Sequence, residues 1–261
     1  MSITEDAPAP TPAARRSPVR LPGSARRASP WWWLVAGSAL LLIVVAIILV
    51  GWWAATRETR NVRFRVLGTL TAVELNLGDA PVQITGGAGG AVEVRRTEQI
   101  SFNHPPEITR SVSSGVLRIT SNCPDTVLGS CEASFRVAVP DNVLVNVRTT
   151  SGRIGISGLN GSARAASGSG PIAITGFCGF TLVATSASGD VSAAADCSPD
   201  RMELRSGSGD VHAVVPNGRY RVDANSDDGT ERVRGLTVAD DAPYTVQALS
   251  GSGDVTVEST P

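Results

Sequence analysis

The hexapeptide Ser-Gly-Ser-Gly-Asp-Val occurs twice in this chain, at residues 206–211 and 250–255. Weaker copies stand at 150–154, 167–172, 186–191 and 227–230. Aligned on their last Gly, the copies fall at Gly152, Gly170, Gly189, Gly209, Gly229 and Gly253, in steps of 18, 19, 20, 20 and 24 residues. A period near 20 predicts stacked units, each too small to bury a core alone. Apolar residues alternate on both sides of the small-residue corner. Met202 and Leu204 precede one copy, and Val211 and Ala213 follow its Gly. Period-2 alternation gives each strand an inward and an outward face. Gly at the corner is expected to supply positive φ.

A second corner recurs eight residues on. It is Asn160-Gly161 after Gly152 and Asn217-Gly218 after Gly209. Cys178 and Cys197 occupy the same phase after Gly170 and Gly189. In a stack they would lie about 4.8 Å apart, inside the window for a disulfide; the alternative is two buried thiols. Cys123 and Cys131 then remain to pair with each other. Thin repeated layers also suit the composition, with 27 Gly and only 5% aromatic residues.

All five Trp lie in one stretch. Residues 31–53 are uncharged and carry Trp31, Trp32 and Trp33 at one end and Trp52 and Trp53 at the other. As a helix they would cover roughly 35 Å, enough to cross a bilayer core of ~30 Å. The Trp clusters match the two interfaces with lipid. The run is too long for the apolar core of a cleaved leader. Residues 1–30, rich in Pro, Ala, Ser and Arg, are expected to be a disordered cytoplasmic tail. Arg residues flank the span on both sides, so orientation rests on the cysteines. All four follow the span, and paired cysteines favour an oxidising exterior. The expected order is tail 1–30, transmembrane helix 31–53, stalk 54–66 and an extracytoplasmic β domain 67–261. In that domain short apolar-alternating runs are bounded by Gly, Pro, Asn or Asp. Gly78-Asp79 and Gly115-Val116-Leu117 read as earlier, worn copies of the repeat.

The run of Leu-Gly-Asp, Ser-Gly-Ser-Gly-Asp-Val and Ile-Ser-Gly-Leu-Asn-Gly corners resembles the bacterial putative-adhesin domain family. The likeness covers about residues 67–258. It implies an all-β, β-solenoid stack, often carried behind one membrane span, and brings no catalytic residues to transfer. Arg153, Pro171 and Thr230 replace the corner Asp and interrupt a regular Asp ladder.

The motifs carry little chemistry. Asp190, Asp210 and Asp254 at the corners have a calcium-ladder reading, but calcium-binding repeats of that type have a period of nine. Turn capping by the carboxylates fits better. Asp223, Asp227, Asp228, Asp240 and Asp241 form a denser acidic region, a weak Ca²⁺ candidate; no other cofactor is expected. His212, Asp210 and Ser208 offer the residue types of a triad, yet alternate positions of one strand point along one face and need not converge. Every one of the 23 basic residues is Arg, so no Gly-Lys-Ser/Thr phosphate loop exists. Beyond residue 30, 18 Arg face 22 acids, or −4, which argues against a nucleic-acid partner.

The expected function is that of a membrane-anchored, non-enzymatic surface protein binding a cell-wall polymer or another protein, with Thr149, Ser157, Thr175, Thr185 and Arg205 facing outward. The alternative is an envelope-stress sensor signalling through residues 1–30. A third reading, an enzyme acting on polysaccharide, would need Asp/Arg pairs such as Asp210 with Arg205.

Overall fold

The computed structural model describes residues 30–55, 58–100, 105–123 and 131–260. The expected tail at 1–30 lies outside them save for Pro30. The helix α1 (Pro30–Ala55) begins on a proline, which costs nothing in a first turn whose N–H groups have no intrahelical partner. Its large apolar side chains are exposed all round, Leu34, Leu41, Ile47 and Leu49 among them. It is the one helix among the described residues long and apolar enough to cross a membrane.

The β domain opens with β1 (Glu58–Leu67), β2 (Ala72–Asn76), β3 (Val82–Thr85), β4 (Ala91–Ile100), β5 (Glu107–Ser113), β6 (Val116–Asn122) and β7 (Cys131–Ala138). It continues with β8 (Leu144–Thr149), β9 (Ile154–Ser157), β10 (Ala163–Ser167), β11 (Ile172–Phe177), β12 (Thr181–Ser186), β13 (Val191–Ala195), β14 (Arg201–Ser206) and β15 (Val211–Val215). The last strands are β16 (Arg219–Ser226), β17 (Glu231–Arg234), β18 (Thr237–Val238), β19 (Tyr244–Ser250) and β20 (Val255–Ser259). They form two ten-stranded sheets. One runs β1-β4-β7-β3-β9-β11-β13-β15-β20-β17, the other β18-β16-β19-β14-β12-β10-β8-β2-β6-β5. Each rung gives one strand to each sheet, so the fold is the expected all-β, solenoid-like stack.

Alternation decides which side chains enter the core. Val191, Ala193 and Ala195 of β13 are buried, as are Met202 and Leu204 of β14 and Val255 and Val257 of β20. Each fully buried Val, Leu or Ile contributes roughly 1.5–3 kcal/mol. Successive rungs pair in parallel and in register: Leu182 opposes Met202, and Val191 opposes Val211.

Three features depart from a regular coil. Residues expected in the stalk at 54–66 supply most of β1, an edge strand paired antiparallel with β4 from Glu58 opposite Ile100 to Leu67 opposite Ala91. Gly115 is not a rung corner. With Ser114 it makes the positive-φ turn of the β5–β6 hairpin (φ 51° and 76°). Finally, the stack does not follow chain order at either end: near the N-terminal end the rung β2/β3 sits between β6/β7 and β8/β9. The rung β19/β20 sits between β14/β15 and β16/β17, pairing in parallel with both.

Candidate functional site

Four corners of the repeat, at Gly170, Gly189, Gly209 and Gly253, are the same polar arrangement copied from rung to rung. A Ser stands three residues before the corner Gly, points inward and caps the turn. Ser167 Oγ accepts the N–H of Gly170 (2.8 Å), Ser186 that of Gly189 (2.9 Å), Ser206 that of Gly209 (2.8 Å) and Ser250 that of Gly253 (2.9 Å). The same hydroxyls donate to the neighbouring rung, Ser206 to the carbonyl of Gly189 (2.9 Å) and Ser250 to that of Gly209 (2.8 Å). Thr149 holds this place ahead of Gly152 and bonds its carbonyl at 2.8 Å. Thr149 is therefore buried, not outward as expected; Thr175, Thr185 and Arg205 are exposed and Ser157 half-buried. The inward Ser was legible as a Ser or Thr three residues before every corner Gly, a spacing hidden by the attention-drawing Gly and Asp.

None of Gly152, Gly170, Gly189, Gly209, Gly229 and Gly253 has positive φ, contrary to expectation. Close approach requires them. A Cβ on Gly152 would come within 3.0 Å of the Ala80 backbone. On Gly170, Gly189 and Gly209 it would meet Gly152, Gly170 and Gly189 as closely. On Gly253 it would meet Gly209, and on Gly229 it would meet Gly253.

The corner Asp reaches across rungs rather than capping its own turn. Asp190 Oδ1 accepts the N–H of Asp210 (3.0 Å), Asp210 Oδ1 that of Asp254 (2.9 Å) and Asp254 Oδ1 that of Thr230 (2.9 Å). The Thr230 backbone N–H, then its side chain, then Arg232 hold the Asp254 carboxyl below the usual Asp range. The denser acidic region does not converge. Asp223 accepts from Gln247 (2.8 Å), and Asp241 pairs with Arg219 (2.7 Å). Among the described residues no three His, Cys, Asp or Glu side chains gather as a metal site.

The triad and Asp/Arg readings also separate. His212 faces Glu258 at 3.0 Å, and Arg205 pairs with Glu203 at 2.8 Å rather than with Asp210. Both cysteine pairs stand at disulfide distance, Cys178–Cys197 with Cα atoms 4.8 Å apart and Cys123–Cys131 with 5.7 Å. The first joins neighbouring rungs, a closure contributing about 3 kcal/mol. Trp31, Trp33 and Trp52 are exposed on α1; the side chains of Trp32 and Trp53 lie outside the described residues.

The family model Toastrack DUF4097 matches residues 141–258. The chain is similar to that domain over these residues, fewer than half of its 261. Among solved structures, it is similar to a putative cell adhesion protein from Clostridium sporogenes, 13% identical with a TM-score of 0.48 over 78% of this chain and 100% of that one. It is also similar to a putative adhesin from Bacteroides fragilis, 13% identical with a TM-score of 0.30 over 78% and 97%. A third is a putative adhesin from Parabacteroides merdae, 12% identical with a TM-score of 0.28 over 79% and 97%. No curated protein matches the sequence. The Toastrack match takes in all six corner glycines and the Cys178–Cys197 pair. The antiparallel strands β1, β4 and β7 precede it.

Proposed function

We propose that this chain is a membrane-anchored, non-enzymatic envelope protein whose β domain lies outside the membrane and binds a cell-wall polymer or surface protein through its sheet faces. One observation carries the reading. The side chains that recur with the repeat are engaged in rung-to-rung bonding, Ser206 and Ser250 inside the corner and Asp190, Asp210 and Asp254 along it. A repeat that holds a scaffold together leaves the outer faces as its working surface. The exposed apolar surface of α1 supports anchorage, and the two cysteine pairs support an oxidising exterior.

The test uses the full chain in neutral-lipid nanodiscs, titrated with isolated cell envelope. Saturable retention is expected, and none at any concentration would overturn the reading. For topology, protease added to intact cells should remove the β domain and leave a tag ahead of residue 30; the reverse pattern would overturn the orientation.

A further inference from the structure

Three arginines stand side by side across the first strands of one sheet. Arg63 of β1 is directly opposite Arg95 of β4, and Arg95 is directly opposite Arg136 of β7. All three are exposed on the outer face. Like charges directly opposite in a sheet destabilise it, so the row has no folding rationale. The neighbouring side chains do not neutralise it. Two residues along the strands, Glu93 is already engaged by Arg65; on the other side Thr97 donates to Asn61 at 2.9 Å. Among the described residues none of the three arginines forms an ion pair.

The same line continues across the sheet with low relief. Gln83 of β3 adjoins Arg136, and its side chain lies over Gly155 of β9. Ala173 and Ser192 follow on β11 and β13. Strand spacing of about 4.8 Å sets the Cα atoms of the three arginines along roughly 10 Å of a straight line. Guanidinium forks match phosphate oxygens in pairs. A basic row one residue wide fits a chain laid along it, whereas a plane of lipid headgroups calls for basic residues spread in two directions.

We propose that the Arg63–Arg95–Arg136 row binds a linear, phosphate-bearing polyanion lying across the strands. The proposal rests on the envelope-binding reading above and names the chemistry of the polymer it would hold.

The experiment uses the full chain in neutral-lipid nanodiscs, with inorganic polyphosphate as the probe and uncharged dextran as its control. Wild type should bind polyphosphate and ignore dextran. R95Q/R136Q should weaken binding about 10-fold and flatten the slope of log K against log salt by about 1.4, two contacts at roughly 0.7 each. R148Q/R164Q removes the same charge from exposed positions on the other sheet and should change affinity less than about 2-fold. Unchanged circular dichroism spectra would establish that both variants are folded. Equal losses in the two variants would reduce the effect to net charge and overturn the proposal. So would binding to phosphatidylglycerol vesicles without binding to polyphosphate, which would make a membrane surface the partner. Saturable envelope binding that survives R95Q/R136Q would overturn the row and leave the envelope reading intact, whereas no envelope binding by wild type overturns that reading itself.

Discussion

The backbone N–H of Asp254 donates to the carboxylate of Asp210 across 2.9 Å, although 44 residues separate them in the chain. The two complete copies of the repeat are therefore neighbours in the stack, and the copy between them in sequence is displaced to the outside. From there the ladder passes to Thr230, whose N–H meets Asp254 at 2.9 Å.

Protonation should loosen that last step. Hydrogen bonds from Thr230 and the Arg232 guanidinium depress the folded-state pKa of Asp254 below its unfolded value. The contribution is thus complete above the ordinary Asp range, near pH 4, and is lost as pH falls through the lower folded-state value. Urea melts from pH 7 down to pH 3 should show Asp254→Asn losing less stability on acidification than wild type. Parallel losses would mean that this carboxylate is not linked to folding.

Two glycines should respond in opposite ways to alanine. Gly253→Ala would push a Cβ into the Gly209 carbonyl of the next rung, and overpacking against backbone costs about 1–3 kcal/mol or more. Gly89 has open space around its Cβ position and no positive φ, so Gly89→Ala should be neutral or add about 0.4–1 kcal/mol through the unfolded chain. Thermal unfolding of the pair checks both, and equal effects would contradict the close-approach account of the corner.

The two serines of one motif should also differ. Ser206 is buried and serves Gly209 N–H and Gly189 carbonyl together. Ser206→Ala strands two buried polar groups, at about 1–3 kcal/mol each. Ser208 is exposed, and Ser208→Ala should stay within about 0.5 kcal/mol. Chemical denaturation that ranks them equally would remove the inward-Ser cap.

Period and alternation made the stack legible because both are local. The spacing from one corner Gly to the next measures one circuit of the coil, and it puts Cys178 beside Cys197. What the corner Gly does is not local. Gly253 was expected to relieve its own φ, but its reason for being Gly lies on Gly209, a non-local contact that no window of residues contains. The antiparallel start was hidden for a similar reason. β1 has polar residues on its outward side and a partly covered inner side, so 58–66 looks like a charged stalk until Arg63 meets Arg95. The row of arginines, the feature with most bearing on a ligand, is scattered over 73 residues of sequence and exists only through strand pairing.

The displaced order at the C-terminal end predicts how that end fails. Among the described residues β17 pairs only with β20, and β16 pairs with β19 along its length but with β18 at just two positions. The rung β16/β17 therefore has nothing to dock on until β19 and β20 are in place. A chain ending at residue 242 should lose hydrogen-exchange protection across 219–234, because pairing with β18 alone cannot hold an eight-residue strand. Protection across β10 to β13 should persist, since those strands keep both neighbours in each sheet. Protection retained at 219–234 in the shortened chain would show that β16 can dock on β14 directly, and the intercalated order would not be required for folding.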